Sequence, residues 1–279
     1  MSWESPLVAI DTLEELTATA RRIRRHIITM LAEARSGHAG GSLSAVEVLC
    51  ALYFRVLRHD PKNPDWPDRD RFVLSKGHAT PVMYSVLAES GYFPIEELKT
   101  FRKLNSRLQG HTKMDIPGVE MSAGSLGQGL SFCIGQLLAA RLDGKDYRAY
   151  CLLGDGECQE GQTWEAFMCA PYYGLDRLCA IIDRNGIQND WFVKDTMELE
   201  PLDEKLRAFN WHVLSVDGHD LPQLLEAFEE AKGVTGKPTA IIARTVKGKG
   251  VSFMENDPHF HGNPPTPEQV EQALAELGE

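Results

Sequence analysis

No CxxC pair occurs in this chain, and its six cysteines are scattered at positions 50, 133, 151, 158, 169 and 179. That spacing excludes the usual patterns of a structural zinc site or a redox dithiol. Most of the cysteines sit in apolar segments, which fits buried free thiols in a reducing cytoplasm, not a disulfide framework. No stretch of about 18 apolar residues exists, so nothing reads as a membrane-spanning helix. The acidic start, Met1 to Thr19, lacks the apolar core of a signal peptide. Positive charge is also short: 29 Lys and Arg stand against 40 Asp and Glu, a formal net charge of −11. A nucleic-acid partner, which favours a basic face, is not expected. The basic cluster Arg21-Arg22-Ile23-Arg24-Arg25-His26 reads as a solvated helix face. Internal repeats, low-complexity segments and a GxxxxGK[ST] loop are missing as well.

Apolar residues make up 43% of the chain, enough for a substantial core, and their order is regular. Leu16, Ala20, Ile23, Ile27, Met30 and Leu31 recur at helical spacing, which predicts a helix over 13–34. A second helix is expected over 44–57, capped by Ser42 or Ser44. The segment 60–70 holds three prolines and reads as a loop. Short apolar runs then follow at 72–74, 149–153, 179–182, 213–216 and 240–243. Runs of this kind predict strands buried on both faces. Helices are expected between them at 79–90, 126–142, 163–173 and 221–232. The alternation predicts an α/β fold: a parallel sheet with helices on both faces. We read residues 1–279 as one domain. It has an N-terminal helical extension and a Gly/His/Pro-rich tail from Gly248 that ends in a short amphipathic helix.

In such sheets ligands sit beyond the carboxyl ends of the strands. Gly154-Asp155-Gly156-Glu157 and Asp183-Arg184-Asn185-Gly186 fall at two such ends. An Asp and an Asn there supply hard oxygen ligands of the kind Mg²⁺ takes, and the glycines let backbone N–H groups approach an anion. His38, His78, His111 and His261 each lie beside or one residue from glycine in an expected loop. Imidazole donates to phosphate or shuttles protons near neutral pH. The stretch Ser122 to Gly129 forms a Gly-rich entry to a helix, suited to a flat or anionic ligand or simply to a capped helix start. Glu160 and Glu165 open the helix after the GDG turn, where acidic residues favour the helix dipole in any case. Lys247 and Lys249 stand between glycines after the last strand, a phosphate-binding arrangement or a basic surface turn.

Taken in order, these motifs resemble the N-terminal, diphosphate-binding (PP) part of transketolase, a thiamine diphosphate enzyme. The resemblance covers about Leu13 to Pro265. It rests on Ser36-Gly37-His38-Ala39-Gly40, Ser75-Lys76-Gly77-His78-Ala79, Gly110-His111, Ser125-Leu126-Gly127-Gln128-Gly129, the GDGECQEG run from Gly154, Asp183 to Gly186, and His261-Gly262. It implies roles for matching residues. Asp155, Asn185 and the carbonyl of Ile187 would bind Mg²⁺ (or Ca²⁺ or Mn²⁺). His78, Gly156 and His261, with Gly154, Glu157 and Lys247 nearby, would surround the cofactor diphosphate. Gly124, Ser125 and Leu126 would lie along the aminopyrimidine. His38, His111 and His261 would face the reacting sugar, and Glu160 and Glu165 would join a carboxylate network reaching toward a partner.

The implied activity is transfer of a two-carbon ketol group between sugar phosphates. Full-length members carry a further pyrimidine-binding domain that this sequence lacks. A split enzyme is therefore expected, with a second subunit supplying that domain in an α₂β₂ assembly. Two departures stand out: Ala39 replaces a common proline, and Trp191 stands close to the metal-ligand loop. The α chain of a 2-oxoacid dehydrogenase E1 component, a deoxyxylulose-phosphate synthase and a non-catalytic cofactor-binding module are the alternatives.

Overall fold

The computed structural model describes residues 9–278. The first eight residues of the Met1–Thr19 segment and the last residue of the expected 1–279 domain lie outside the described residues. Helix α1 (Leu13–Ala34) begins at Thr12, whose side chain accepts the Glu15 backbone N–H at 3.2 Å. That is the ordinary way to satisfy a free amide at a helix start. Helices α2 (Gly40–Leu43) and α3 (Val46–Ala51) follow, and α3 runs into a π-helical turn over Leu52–Val56.

The helix expected over 44–57 thus begins two residues later, at Val46, and turns π-helical from Leu52, and neither serine caps it. The Ser42 hydroxyl donates back to the His38 carbonyl at 2.8 Å, and the Ser44 hydroxyl donates to Asp183 at 2.6 Å. Ser42 thus bonds locally, four residues back, and only the Ser44 hydroxyl is engaged by the site.

The chain continues through β1 (Arg71–Leu74), α4 (Thr80–Glu89), α5 (Gly129–Leu142), β2 (Ala149–Gly154), α6 (Gly161–Tyr172) and β3 (Leu178–Arg184). Two short helices, α7 (Val193–Thr196) and α8 (Leu202–Ala208), precede β4 (His212–Asp217), α9 (Leu221–Gly233), β5 (Thr239–Arg244) and α10 (Pro267–Leu277). Helices α7 and α8 were not expected, because four and seven residues carry little periodicity. Helix α5 starts three residues later than the apolar pattern implies. Gly127 before it has φ of +83°, a left-handed conformation that keeps the loop out of the helix.

The five strands pair in the order β1-β2-β3-β5-β4, all parallel. Alternate strand residues enter two separate cores. Phe72, Leu74, Tyr150, Leu152, Cys179 and Ile181 pack with residues of α1, α3, α4 and α9. Val73, Cys151, Leu153, Ala180 and Ile182 pack with residues of α5, α6 and α8. This is the sheet with helices on both faces that the apolar runs imply, except at β4: the run at 213–216 was expected to be buried on both faces, but at the sheet edge Leu214 is half-buried and Ser215 exposed. Each fully buried Leu or Ile contributes roughly 1.5–3 kcal/mol by leaving water.

The basic cluster on α1 departs from its expected solvated role. Arg21 and Arg22 are exposed, but Arg24 is buried and bonds both oxygens of Glu47, at 2.6 and 2.8 Å. Arg22 and His26 meet Glu89, and Arg25 donates to the Leu274 carbonyl on α10. Helical spacing turns one position in the run toward the core, and the fold supplies a carboxylate there. All six cysteines are free, five of them buried and Cys169 partly so. No helix among the described residues is long and apolar enough to cross a membrane.

Candidate active site

The carboxyl ends of β1, β2 and β3 open into a cavity of about 460 Å³. Strand register sets its centre: Gly154 at the end of β2 lies opposite Asp183 in β3. The loops after α1, β1, β2, β3 and β5 converge above it, joined by Gly124, Leu126, His111 and His261. Two of these loops touch through glycine. A Cβ on Gly77 would lie 2.6 Å from the Ala123 Cβ, so a larger residue would push the His78 loop off its neighbour.

Asp155 is 3% exposed. Its carboxylate accepts the backbone N–H groups of Gly156, at 2.8 Å, and Gly186, at 2.6 Å. It forms no ion pair among the described residues. Burial, then the negative charge of Asp183, push it up to about 6. Gly186 has φ of +78°, which lets the chain turn back so that its N–H reaches Asp155. Asn185 Oδ1 accepts the Ile187 N–H at 3.1 Å, while its Nδ2 donates to Asp183 at 3.1 Å.

Lys76 and Asp183 form an ion pair that is almost fully buried. Lys76 also donates to the Gly41 carbonyl at 2.7 Å. Ser44, Thr245 and Asn185 complete the donors around Asp183. Burial alone would raise Asp183, but the Lys76 charge and these hydrogen bonds hold it below the usual carboxylate range. Lys247, from the loop after β5, donates to the Ile187 carbonyl and meets His261 Nδ1, both at 2.7 Å. Burial and the nearby Lys76 charge lower it to about 8.

The four histidines come together. Ring centroids of His38 lie 5.0 Å from His78, 6.5 Å from His111 and 5.6 Å from His261, with His78 and His261 at 5.2 Å. Burial, then cationic neighbours, lower His38 to about 4 and His261 to about 3, and lower His78 and His111 as well. The sequence expectation was imidazoles titrating near neutral pH. The structure favours neutral rings, because burial, then the cations and other imidazoles that share the cleft, disfavour the charged form. Neutral rings still donate from one nitrogen and accept at the other. Among the described residues His38 Nδ1 is buried with no hydrogen-bond partner, although buried polar atoms are normally paired.

Other expected site residues differ in their placement. Gly154, Gly156, Gly124, Leu126, Glu160, Asn185 and Ile187 line the cavity. Ser125 is exposed and Glu165 is exposed on α6, and neither lines it. Glu157 lines it but is engaged elsewhere: it accepts from Gly127 N–H at 2.9 Å, Gly154 N–H at 3.1 Å and the Ser75 hydroxyl. It ties the Gly127 loop to the end of β2. Lys249 points away and meets Glu255 at 3.5 Å. Trp191 is 54% exposed and stacks edge-on against Phe192, leaving the cavity open. Lys76 was missed as a site residue, although it stands two residues before His78, because a lysine reads as surface by default.

The comparisons agree with this geometry. The family described as "Transketolase, thiamine diphosphate binding domain" matches residues 16–279. The chain is 46% identical over 264 residues to a 6-deoxy-6-sulfo-D-fructose transketolase subunit of Clostridium sp. (strain MSTE9), covering 94% of this chain and 96% of that one. It is 39% identical over 267 residues to an apulose-4-phosphate transketolase subunit of Phocaeicola vulgatus, covering 96% and 95%. Human transketolase is 40% identical over 266 residues, 95% of this chain but 42% of its own length. A transketolase structure from Campylobacter jejuni superposes with a TM-score of 0.91 at 35% identity, over 96% of this chain and 43% of that one. The chain thus spans less than half the length of the human and Campylobacter relatives. It belongs to the transketolase family of transferases and matches the N-terminal, thiamine diphosphate binding section, which in split members is a separate subunit.

Proposed function

We propose that this chain is one half of a heteromeric transketolase that moves a two-carbon ketol group from a ketose to an aldose with Mg²⁺ and thiamine diphosphate. The observation that carries it is the cleft itself: oxygen donors, two buried lysines and four neutral imidazoles around one cavity. The residues fit the group. Asp155 is buried without an ion pair among the described residues. It lines the same cavity as Asn185 and Ile187, whose side-chain oxygen and carbonyl would complete an all-oxygen set of the kind Mg²⁺ takes. The Ile187 carbonyl accepts from Lys247, so the metal would share or displace that bond. A Cβ on Gly41 would stand 3.6 Å from Lys76 Nζ and 3.7 Å from His78 Nε2, so glycine keeps that side of the cavity clear.

When bound, thiamine diphosphate supplies an electron sink for the carbanion chemistry. The chain's own residues do the rest. Asp155, Asn185 and Ile187 hold the metal. His78, Gly156 and His261, with Lys247, would bind the diphosphate, while Lys76 is held by its pairing with Asp183. Gly124 and Leu126 form the wall beside the aminopyrimidine, and Ser125 stands at its outer end. His38, His111 and His261 hydrogen-bond sugar hydroxyls and pass protons between them. Glu160 stands at the cavity edge and Glu165 faces outward. On this reading both would reach a second subunit carrying the pyrimidine-binding domain, in an α₂β₂ assembly. The chain is proposed to act as one PP-type domain in the cytoplasm. The two relatives named for a substrate carry a sulfo-sugar and a sugar phosphate in those names, so an anionic sugar is the donor class proposed. The relatives above all bear transketolase names, which leaves the 2-oxoacid dehydrogenase alternative without support.

The test is reconstitution with the complementary chain, followed by assay of ketose–aldose pairs at varied Mg²⁺ and thiamine diphosphate. Cofactor-dependent transfer is expected. Wild-type Mg²⁺-dependent cofactor binding by Asp155→Ala in that complex would sink the assignment.

A further inference from the structure

Lys247 reaches the cavity from a loop, and the loop's geometry is set from behind. Glu47, on α3, is the hub. It accepts both terminal nitrogens of Arg24 at 2.6 and 2.8 Å, and His219 Nδ1 lies 2.9 Å from its second oxygen. The other ring nitrogen, His219 Nε2, accepts the Val246 N–H at 2.8 Å. That pairing fixes the tautomer: the proton sits on Nδ1 and points to Glu47. Arg24 Nε donates to the Lys249 carbonyl at 3.0 Å. The network therefore grips the chain one residue before Lys247 and two residues after it.

The grip is close. A Cβ on Gly218, beside His219, would lie 2.4 Å from Thr245 Cγ2. A Cβ on Gly250, where φ is +92°, would lie 3.0 Å from Arg24 Cδ. The Lys247 stem passes over Gly40, whose Cβ would sit 2.8 Å from Lys247 Cγ. None of Arg24, Glu47 or His219 lines the cavity.

We propose that Arg24, Glu47 and His219 are positioning residues for the cofactor site, holding the 245–249 loop so that the Lys247 ammonium stays between Ile187 and His261. The proposal rests on the functional reading above. Lys247 has four rotatable side-chain bonds, and only a fixed backbone keeps its head at two 2.7 Å contacts. Glu47 takes two hydrogen bonds from Arg24 and a third from the imidazole, so the three act as a unit.

His219→Asn tests this without leaving Arg24 and Glu47 unpaired. In the isolated chain, amide exchange across 245–249 is expected to rise about ten-fold. Unchanged exchange would overturn the clamp. In the reconstituted complex, His219→Asn is expected to weaken thiamine diphosphate binding about ten-fold at fixed Mg²⁺, the worth of one hydrogen bond, while kcat at saturating cofactor stays within about two-fold. In a Lys247→Met background the same substitution should change binding less than about two-fold. An equal loss in both backgrounds would show that His219 acts on stability and not through Lys247, and would overturn the proposal. Failure of the wild-type complex to bind thiamine diphosphate would sink the functional reading instead. The exchange measurement, which needs no cofactor, would still decide the clamp.

Discussion

Asp155 and Asp183 stand at the ends of neighbouring strands, and both are almost fully buried. Asp183 has four side-chain donors around it: Lys76, Ser44, Thr245 and Asn185. Asp155 has two backbone N–H groups and, among the described residues, no cation paired with it. A carboxylate offers about four acceptor positions. Asp183 receives four donors from its own chain, three of them at Oδ2, and Asp155 receives, among the described residues, only two. The difference separates a scaffold from a binding group. Asp183 gathers α2, β1, β3 and the loop after β5 around one charge. Asp155 keeps bonding capacity for something the chain does not supply.

The contrast can be broken most severely at Asp183. Asp183→Asn should lower the chain's stability by about 3–5 kcal/mol, because it leaves the buried Lys76 ammonium unpaired. Urea denaturation measures this. A loss below about 1 kcal/mol would mean that Lys76 finds another partner or lets water in.

Glu47 tests the same rule away from the cavity. Burial alone would raise it, but the His219 hydrogen bond and the Arg24 charge outweigh that and bring it from its ordinary 4.5 to about 2. A depressed carboxylate stabilises the fold above its unfolded value and loses that contribution as pH falls through the folded one. The stability gap between wild type and Glu47→Gln, on the order of 3 kcal/mol near neutrality, should therefore shrink between pH 4.5 and about 2. Parallel denaturation curves across that range would reveal a gap independent of pH if the pairing is wrong.

Asp155→Asn is the opposite case. Its stability should stay within about 1 kcal/mol of wild type or rise, since a charge facing Asp183 is removed without orphaning a cation. What should vanish is the increase in melting temperature produced by Mg²⁺ and thiamine diphosphate together in the complex. A large drop in stability without ligand would place Asp155 with the scaffold.

Glu165→Gln should have the smallest effect on the chain alone, within about 0.5 kcal/mol, because the side chain is exposed on α6. If it reaches a second subunit, its effect appears only in the affinity between the two chains or in activity of the complex. Sedimentation of the two chains together separates these outcomes.

Much of the frame was legible in the residues. Four of the five strands carry continuous apolar runs because both faces of the sheet are covered there, whereas the edge strand β4 alternates between buried and more exposed positions. The His–Gly turns were legible because the same pairing recurs four times. Other features were hidden. Ser44 does not cap the helix that follows it; its hydroxyl bonds Asp183, 139 residues away in sequence. The burial of Arg24 within a basic run depends on Glu47 and on α10 and the loop after β5 closing over α1. Glu157 looked like a cofactor contact because it belongs to the GDGE motif, yet its oxygens hold Gly127, Gly154 and Ser75.

Sequence alone determined the α/β order, the strand ends that carry Asp155 and Asn185, and the four histidines beside glycine. Those depend on local spacing and residue type. Tertiary structure decided which charges are paired, which are left available, and that the imidazoles are neutral. Lys76 reaches Asp183 across 107 residues, and Lys247 reaches Ile187 across 60. The state of a buried ionisable group is set by desolvation and by neighbours that only the folded chain brings together.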